Sequence, residues 1–258
     1  MDIKKVYDEK DVVKYLVKGT NYTFLNTLRR TIMTDVPCLA ISEVQIYNND
    51  SVTFDELLAN RLGLLPIKTD VSSYKKGDKV KLVLEKIGPC VVTSKDIKCT
   101  DPKIDILDKK ILITKLGKEE SLKLEMTAVM ETGSKNVRYQ PAIVSYNQIS
   151  EINNDTVKDA KKIIEEMPKG SVELKAGKLF FTDPYNVVNQ NQHLDILRKY
   201  GVSVNYSETD FILTIELTGQ LTAKEVLDSA LDSLNAKLGE LEEAIKKLWL
   251  MLLQSESN

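Results

Sequence analysis

The chain has few of the residues from which most enzyme active sites are built. Its 258 residues include one histidine, His193, and three cysteines, Cys38, Cys90 and Cys99. A single histidine excludes histidine-rich metal sites and most histidine-based acid–base pairs. Cys90 and Cys99 lack further ligands nearby and are more simply small buried hydrophobes than a metal site. We therefore expect no cofactor bound by this chain.

The motifs of common catalytic and nucleotide-binding sites are missing as well. No GxxxxGK[ST], GxGxxG, GxSxG or HExxH pattern occurs in the chain. Acidic residues are abundant, but none forms a distinctive constellation, and pairs such as Glu119-Glu120 are most simply solvated surface. These absences favour a binding or structural role over catalysis.

Arginine, net charge and long apolar runs are also scarce. The only arginines are Arg29, Arg30, Arg61, Arg138 and Arg198, and the formal net charge is −2. No summed positive field would therefore attract nucleic acid. No apolar run reaches the roughly 18 residues of a membrane span, and the first residues lack the apolar core of a signal peptide. We expect a cytoplasmic protein without membrane contact or direct sequence-specific contact to nucleic acid.

The first third of the chain has a strand–helix–strand–helix pattern. Residues 12–18 alternate as a strand, and a helix follows over about 21–35, before Pro37. On that helix Phe24, Leu25, Leu28 and Ile32 share one side, while Arg30 points away and Arg29 lies at the border. Spacing alone favours a core helix with a solvated basic face. Residues 40–47 are predicted to form the second strand.

A second helix is expected to begin at a capping box, Thr53 with Glu56, and to end at Gly63. Its predicted apolar stripe consists of Phe54, Leu57, Leu58 and Leu62, with Arg61 in the middle. A lone charge in a buried stripe is costly, so Arg61 must either reach solvent or form an ion pair. Both alternatives remain open at this point. Residues 79–147 then alternate as an antiparallel sheet with one wet face.

The strongest periodicity lies at the carboxyl-terminal end. Thr222 and Glu225 form another capping box, and a heptad seam follows at steps of four and three. A helix over 222–253 would be nearly 50 Å long, more than a small domain covers. Part of the seam is therefore expected to meet a helix of another chain, although packing within its own chain is an alternative. Spacing does not distinguish a homodimer from a heterodimer. The seam residues are Leu227, Leu231, Leu234, Leu238, Leu241, Ile245, Leu248 and Leu252.

The end of this helix is apolar on every side in the sequence. All six residues from 248 to 253 are apolar, including the only tryptophan, Trp249. Successive helix residues point about 100° apart, so such a run has no polar face. We expect this end to be buried on more than one side.

Several segments form a series of motifs along the chain. FLNTLRRTIMTDVP, residues 24–37, continued by AISEV, residues 40–44, resembles the signature helix of the RNA polymerase alpha-like family. The segment DELLANRLGLLPI, residues 55–67, is similar to a second motif, found in the archaeal and eukaryotic branch of the family in particular. RYQPA, residues 138–142, and the closing strand and helix, residues 211–225, follow in the order of the family.

The resemblance implies an α+β fold in three parts. Residues 1–38 and 203–258 would form a discontinuous dimerisation domain with a long C-terminal helix, and residues 39–152 an inserted β-rich domain. Residues 153–202 would form a small ferredoxin-like insertion. Some archaeal members hold an iron–sulfur cluster in this insertion through cysteines. The segment here contains none, so we expect a cluster-free remnant.

The resemblance also implies a non-catalytic subunit of DNA-directed RNA polymerase. Its dimer partner would be the small subunit L, and the pair would nucleate assembly of the large catalytic subunits, with small subunits N and P nearby. Those subunits would carry the polymerase Mg²⁺ and Zn²⁺. Phe24, Leu28 and Ile32 are assigned to the dimer interface together with the C-terminal seam. Arg29, Arg30 and Arg61 are assigned to contacts with large subunits. A free-standing homodimeric scaffold is the alternative.

Overall fold

The computed structural model describes residues 1–185 and 187–255, and it leaves out the side chains of residues 187–192 and 250–255. The helices in this part of the chain are α1 (Tyr22–Thr34), α2 (Asp55–Gly63), α3 (Ala160–Glu166), α4 (Val187–Lys199) and α5 (Ala223–Ser255). The strands are β1 (Asp2–Glu9), β2 (Val12–Lys18), β3 (Pro37–Asn49), β4 (Lys79–Ile87), β5 (Cys90–Thr93), β6 (Lys98–Cys99), β7 (Leu112–Leu116), β8 (Ser121–Thr132), β9 (Ala142–Ile152), β10 (Val172–Lys175), β11 (Lys178–Phe181) and β12 (Val204–Leu217).

The chain forms two compact units, each built from two separate stretches of sequence. The first unit is Met1–Arg29 with Val144–Ile215, and the second is Arg30–Ile143 with Glu216–Asn258. The α+β class and the long C-terminal helix are confirmed. The boundaries of the three proposed domains remain a prediction.

The first unit contains a four-stranded sheet and a small separate core. The sheet has the order β1-β2-β12-β9, and β1 pairs antiparallel with β2. The alternation in β2 buries Val13 and Val17, as the sequence pattern predicts. The small core belongs to α3, α4 and the β10–β11 hairpin, where Ile163, Leu179 and Leu197 are fully buried.

The second unit is built on a sheet with the order β3-β8-β4-β6, beside the two-stranded sheet β5-β7. Alternate residues of β4 and β8 face the main core, where Leu82, Leu124 and Met126 are fully buried. The opposite face is wet and carries the ion pair between Lys81 and Glu125, 2.5 Å apart. The predicted antiparallel sheet with one wet face is confirmed.

Helix α2 packs against β3 and β7, but two predictions about it are wrong. The capping box does not form, because the Thr53 hydroxyl bonds the Thr114 hydroxyl at 2.9 Å and Phe54 stands at the cap position. The predicted stripe is only half buried. Leu58 and Leu62 are buried, whereas Phe54 and Leu57 are exposed.

The cysteines pack as apolar side chains. Cys38 is fully buried, its Sγ lies 3.4 Å from the Thr69 hydroxyl, and burial raises the pKa of the thiol to about 11. Cys90 and Cys99 are partly buried against the main core. Among the described residues, no three His, Cys, Asp or Glu side chains converge in a group that could hold a metal ion.

Candidate partner interface

The beginning of α5 is anchored in the second unit. Both halves of the predicted capping box form: the Glu225 N–H donates to the Thr222 hydroxyl at 3.3 Å, and the Glu225 carboxylate accepts from the Thr222 N–H at 2.8 Å. Val226 and Ala230 are fully buried. About two turns beyond Ala230, Lys237 Nζ lies 2.7 Å from Asp35 Oδ2. These contacts fix which side of the helix faces its own chain.

The heptad seam is not the face that the chain itself buries. Val226, Ala230, Ser233 and Lys237 follow the same steps of four and three as the leucine seam, one position earlier in the sequence. One position turns the helix by about 100°. The seam therefore lies about a quarter of a turn away from the buried side, and Leu227 and Leu234 are only half buried.

The seam becomes fully accessible beyond the Lys237–Asp35 ion pair. Every residue from Asn235 to Trp249 is exposed, and Leu238, Leu241 and Ile245 are 62%, 55% and 58% exposed. Leu231, Leu248 and Trp249 are exposed as well. The exposed segment is about 20 Å long. An exposed apolar row of this length is typical of a protein–protein interface.

Some predicted interface positions have other surroundings. Leu28 and Ile32 on α1 are buried within the chain, and Phe24 is half buried. Because both side chains are buried in the single chain, Leu28 and Ile32 expose little surface to a partner. The side chain of Leu252 lies outside the described residues. The expected burial at the helix end is not seen at Trp249, which is 64% exposed in the single chain. The assignment of all these positions to an interface stays a prediction.

The three arginines predicted to contact large subunits differ in their exposure and in the hydrogen bonds they form within the chain. Arg29 is half buried and donates to the Asn26 amide oxygen at 3.1 Å. Arg61 is exposed, and its Nη1 donates to the Ile113 carbonyl at 2.6 Å. Neither predicted alternative includes this bond to a backbone carbonyl. Arg30 is exposed on α1, and within residues 1–185 and 187–255 its guanidinium has no recorded ion pair.

Arg138 has a structural role that the sequence pattern missed. Its Nη1 donates to the Ile41 carbonyl at 2.9 Å, and its Nε lies 3.3 Å from the Asn136 amide oxygen. The only signal for it in the sequence is its place in the RYQPA motif. The side chain ties the loop around Asn136 to β3.

Comparison with known proteins shows the family of the chain. Residues 14–238 match the family described as the RNA polymerase Rpb3/Rpb11 dimerisation domain. The chain belongs to this family. The family match ends at Leu238, whereas the exposed seam continues through Leu241, Ile245 and Leu248.

Archaeal relatives align over nearly their whole length. DNA-directed RNA polymerase subunit Rpo3 of Methanopyrus kandleri is 30% identical, and the alignment covers 93% of this chain and 94% of that protein. The Methanosphaera stadtmanae protein of the same name is 31% identical over 92% and 95%. That of Pyrococcus furiosus is 27% identical over 96% and 98%.

Residues 153–202, the predicted ferredoxin-like insertion, do not fit an iron–sulfur cluster. Thiolates are the usual ligands of such clusters, and residues 153–202 contain no cysteine. The corresponding core is apolar instead, formed by side chains such as Ile163 and Leu179.

Among the described helices, none combines the length and apolar character needed to cross a bilayer.

Proposed function

We propose that this chain is a non-catalytic assembly subunit of DNA-directed RNA polymerase. The observation that carries the proposal is the exposed α5 seam, which lies about 100° from the side that the chain buries itself. The family is defined by a dimerisation domain, and relatives of nearly equal length bear the name of a polymerase subunit. We place the protein in the cytoplasm, without a cofactor of its own.

The proposed partner on the seam is the small subunit L. Each fully buried leucine or isoleucine contributes roughly 1.5–3 kcal/mol of hydrophobic free energy. Burial of Leu238, Leu241, Ile245 and Leu248 against subunit L would therefore favour the heterodimer. The heterodimer would then join the large catalytic subunits and the small subunits N and P. A free-standing homodimer is the competing arrangement.

Leu238→Asp tests the seam. A charge without a partner in a buried interface costs several kcal/mol, so co-expressed subunit L should no longer co-purify. Because Leu238 is exposed in the single chain, the thermal stability of the free chain should not change. Ala236→Asp is the matched control, since position 236 is exposed and points about 160° away from Leu238.

Native mass measurement of the co-expressed chains gives the decisive readout. A one-to-one complex that Leu238→Asp abolishes and Ala236→Asp preserves is the expected result. A stable homodimer that ignores subunit L would reject the heterodimer and favour the scaffold. Retained binding in Leu238→Asp would mean that the seam is not the interface.

Arg30 is the best-placed contact residue for a large subunit. It is exposed on α1, one position after Arg29, which already bonds Asn26. A guanidinium suits bidentate pairing with a carboxylate on a partner. Arg30→Ala should leave the heterodimer with subunit L intact and weaken its joining to a large subunit. Unchanged joining would remove Arg30 from the proposed contact.

A further inference from the structure

Strand β3 is an edge strand, and the first half of its free edge is capped by side chains. The Leu39 N–H donates to the Thr69 hydroxyl at 3.1 Å, and Gln220 Nε2 donates to the Leu39 carbonyl at 3.0 Å. Arg138 Nη1 donates to the Ile41 carbonyl at 2.9 Å. Three side chains thus satisfy backbone groups that a neighbouring strand would otherwise bind.

The second half of the same edge lacks such caps. Leu39 and Ile41 pair with Met130 and Ala128 of β8, and two and four positions further along β8 the partners are Val44 and Ile46. Alternate residues of an edge strand turn their backbone groups outward, so Val44 and Ile46 continue the free edge. Across the described part of the chain, no hydrogen bond to their outward N–H and C=O groups is recorded.

Exposed apolar side chains lie beside this edge. Helix α2 runs back along β3: Asn49 Nδ2 donates to Asp55 Oδ1 at 2.7 Å near its start. At its end, a Cβ on Gly63 would lie 3.5 Å from the Ile41 carbonyl oxygen. The exposed side of this helix carries Leu57, 58% exposed, and Leu64 just beyond its end, 62% exposed.

The wet face next to the edge carries an acidic residue, Glu43, beside Lys79 and Lys81. Glu43 is exposed, and no ion pair is recorded for it within residues 1–185 and 187–255. A strand added at Val44–Ile46 would turn alternate side chains toward the wet face and toward α2. The first set would meet Glu43, and the second would face α2, which exposes Leu57.

We propose that an extended segment of another polymerase subunit adds to β3 as a strand at Val44–Ile46. The segment would carry apolar residues on the side of α2 and a lysine or arginine opposite Glu43. Backbone hydrogen bonds would supply affinity, and the alternating side chains would supply specificity. This inference rests on the proposed polymerase function, but it concerns a surface separate from the α5 seam.

Val44→Pro and Val44→Ala form a matched pair that tests the edge. Both remove the valine side chain, but only proline removes the outward N–H. Proline is tolerated on strand edges because no internal ladder bond is lost. In polymerase reconstituted from its own subunits, Val44→Ala should assemble like the wild type, and Val44→Pro should lower the assembled fraction by about tenfold. Equal assembly of the two variants, with the fold intact by circular dichroism, would overturn the inference.

Amide exchange distinguishes the edge from the seam. In the assembled polymerase, the Val44 and Ile46 amides should exchange at least about tenfold more slowly than in the free chain. Slow exchange on α5 with unchanged exchange at Val44 and Ile46 would refute strand addition and leave the proposed function standing. Failure of the chain to enter the polymerase would reject both. Protection in the free chain that grows with its concentration would assign the edge to a second copy and overturn the proposed partner.

Discussion

Arg138 Nη1 lies 2.9 Å from the position that a Cβ on Gly63 would occupy. The guanidinium is held there, because it donates to the Ile41 carbonyl and lies within hydrogen-bond distance of the Asn136 amide oxygen. Gly63 and Arg138 belong to two motifs that are 75 positions apart in the sequence. Their contact explains why the helix ends on a glycine whose backbone has no positive φ.

Gly63→Ala should destabilise the chain. Alanine is a better helix former than glycine. Without the contact to Arg138, the substitution would therefore be expected to stabilise the chain, so a loss of stability would itself indicate the contact. Displacing the held guanidinium should cost about 1–3 kcal/mol, the usual range for overpacking. Urea denaturation measures this cost. In an Arg138→Ala background the cost should largely disappear, and a double-mutant cycle without coupling would contradict the account.

The sequence predicts those features of the fold that rest on short-range periodicity. The strand at residues 12–18 and the helix over about 21–35 are confirmed as β2 and α1. Thr222 and Glu225 form their capping box, because the two residues lie only three positions apart at the start of α5. In each case the deciding interactions lie within a few residues of one another.

Features that depend on distant parts of the chain are mispredicted or missed. The Thr53 hydroxyl is taken by Thr114, 61 residues away, so the second capping box fails. Arg61 bonds the Ile113 carbonyl, 52 residues away. The side of α5 that packs against its own chain is not predicted, because Val226 and Ala230 are small compared with the leucines of the seam. The heptad spacing predicts the candidate interface, but it does not predict which side of α5 packs against its own chain.

Gly239 lowers the helix stability of the exposed segment of α5. It lies in the exposed segment, and a Cβ there would have no heavy atom within 4 Å. Glycine inside an exposed helix costs about 0.5–1 kcal/mol relative to alanine. Gly239→Ala should therefore slow amide exchange over residues 240–249 by about two- to fivefold. Ala236→Gly should speed it by a similar factor, and equal rates in both variants would exclude a helix-propensity effect.

The purified chain should contain no iron–sulfur cluster. Residues 153–202 offer no thiolate, and the described core of this segment is apolar. Protein prepared without oxygen should show no visible iron–sulfur absorbance and only trace iron by mass spectrometry. Iron in stoichiometric amount would contradict this prediction.

His193 should make the stability of the chain depend on pH. Its side chain is 5% exposed and lies against the Phe181 ring, with the ring centroids 6.5 Å apart. Among the described residues, its Nδ1 has no hydrogen-bond partner. Burial lowers the pKa of the imidazole below its ordinary value, because the charged form would lose its hydration.

The direction of this pH dependence follows from how many protons the folded and unfolded chains bind. At a pH between the lowered folded pKa and the unfolded pKa of about 6.5, the unfolded chain binds more protons than the folded chain, so stability rises with pH. The contribution is complete above about pH 6.5 and is lost as the pH falls through the folded pKa. Calorimetry should give a lower unfolding temperature at pH 5.5 than at pH 7.5. His193→Phe, which keeps an aromatic ring against Phe181 and cannot be protonated, should reduce this difference. An equal difference in the variant would mean that other groups cause it.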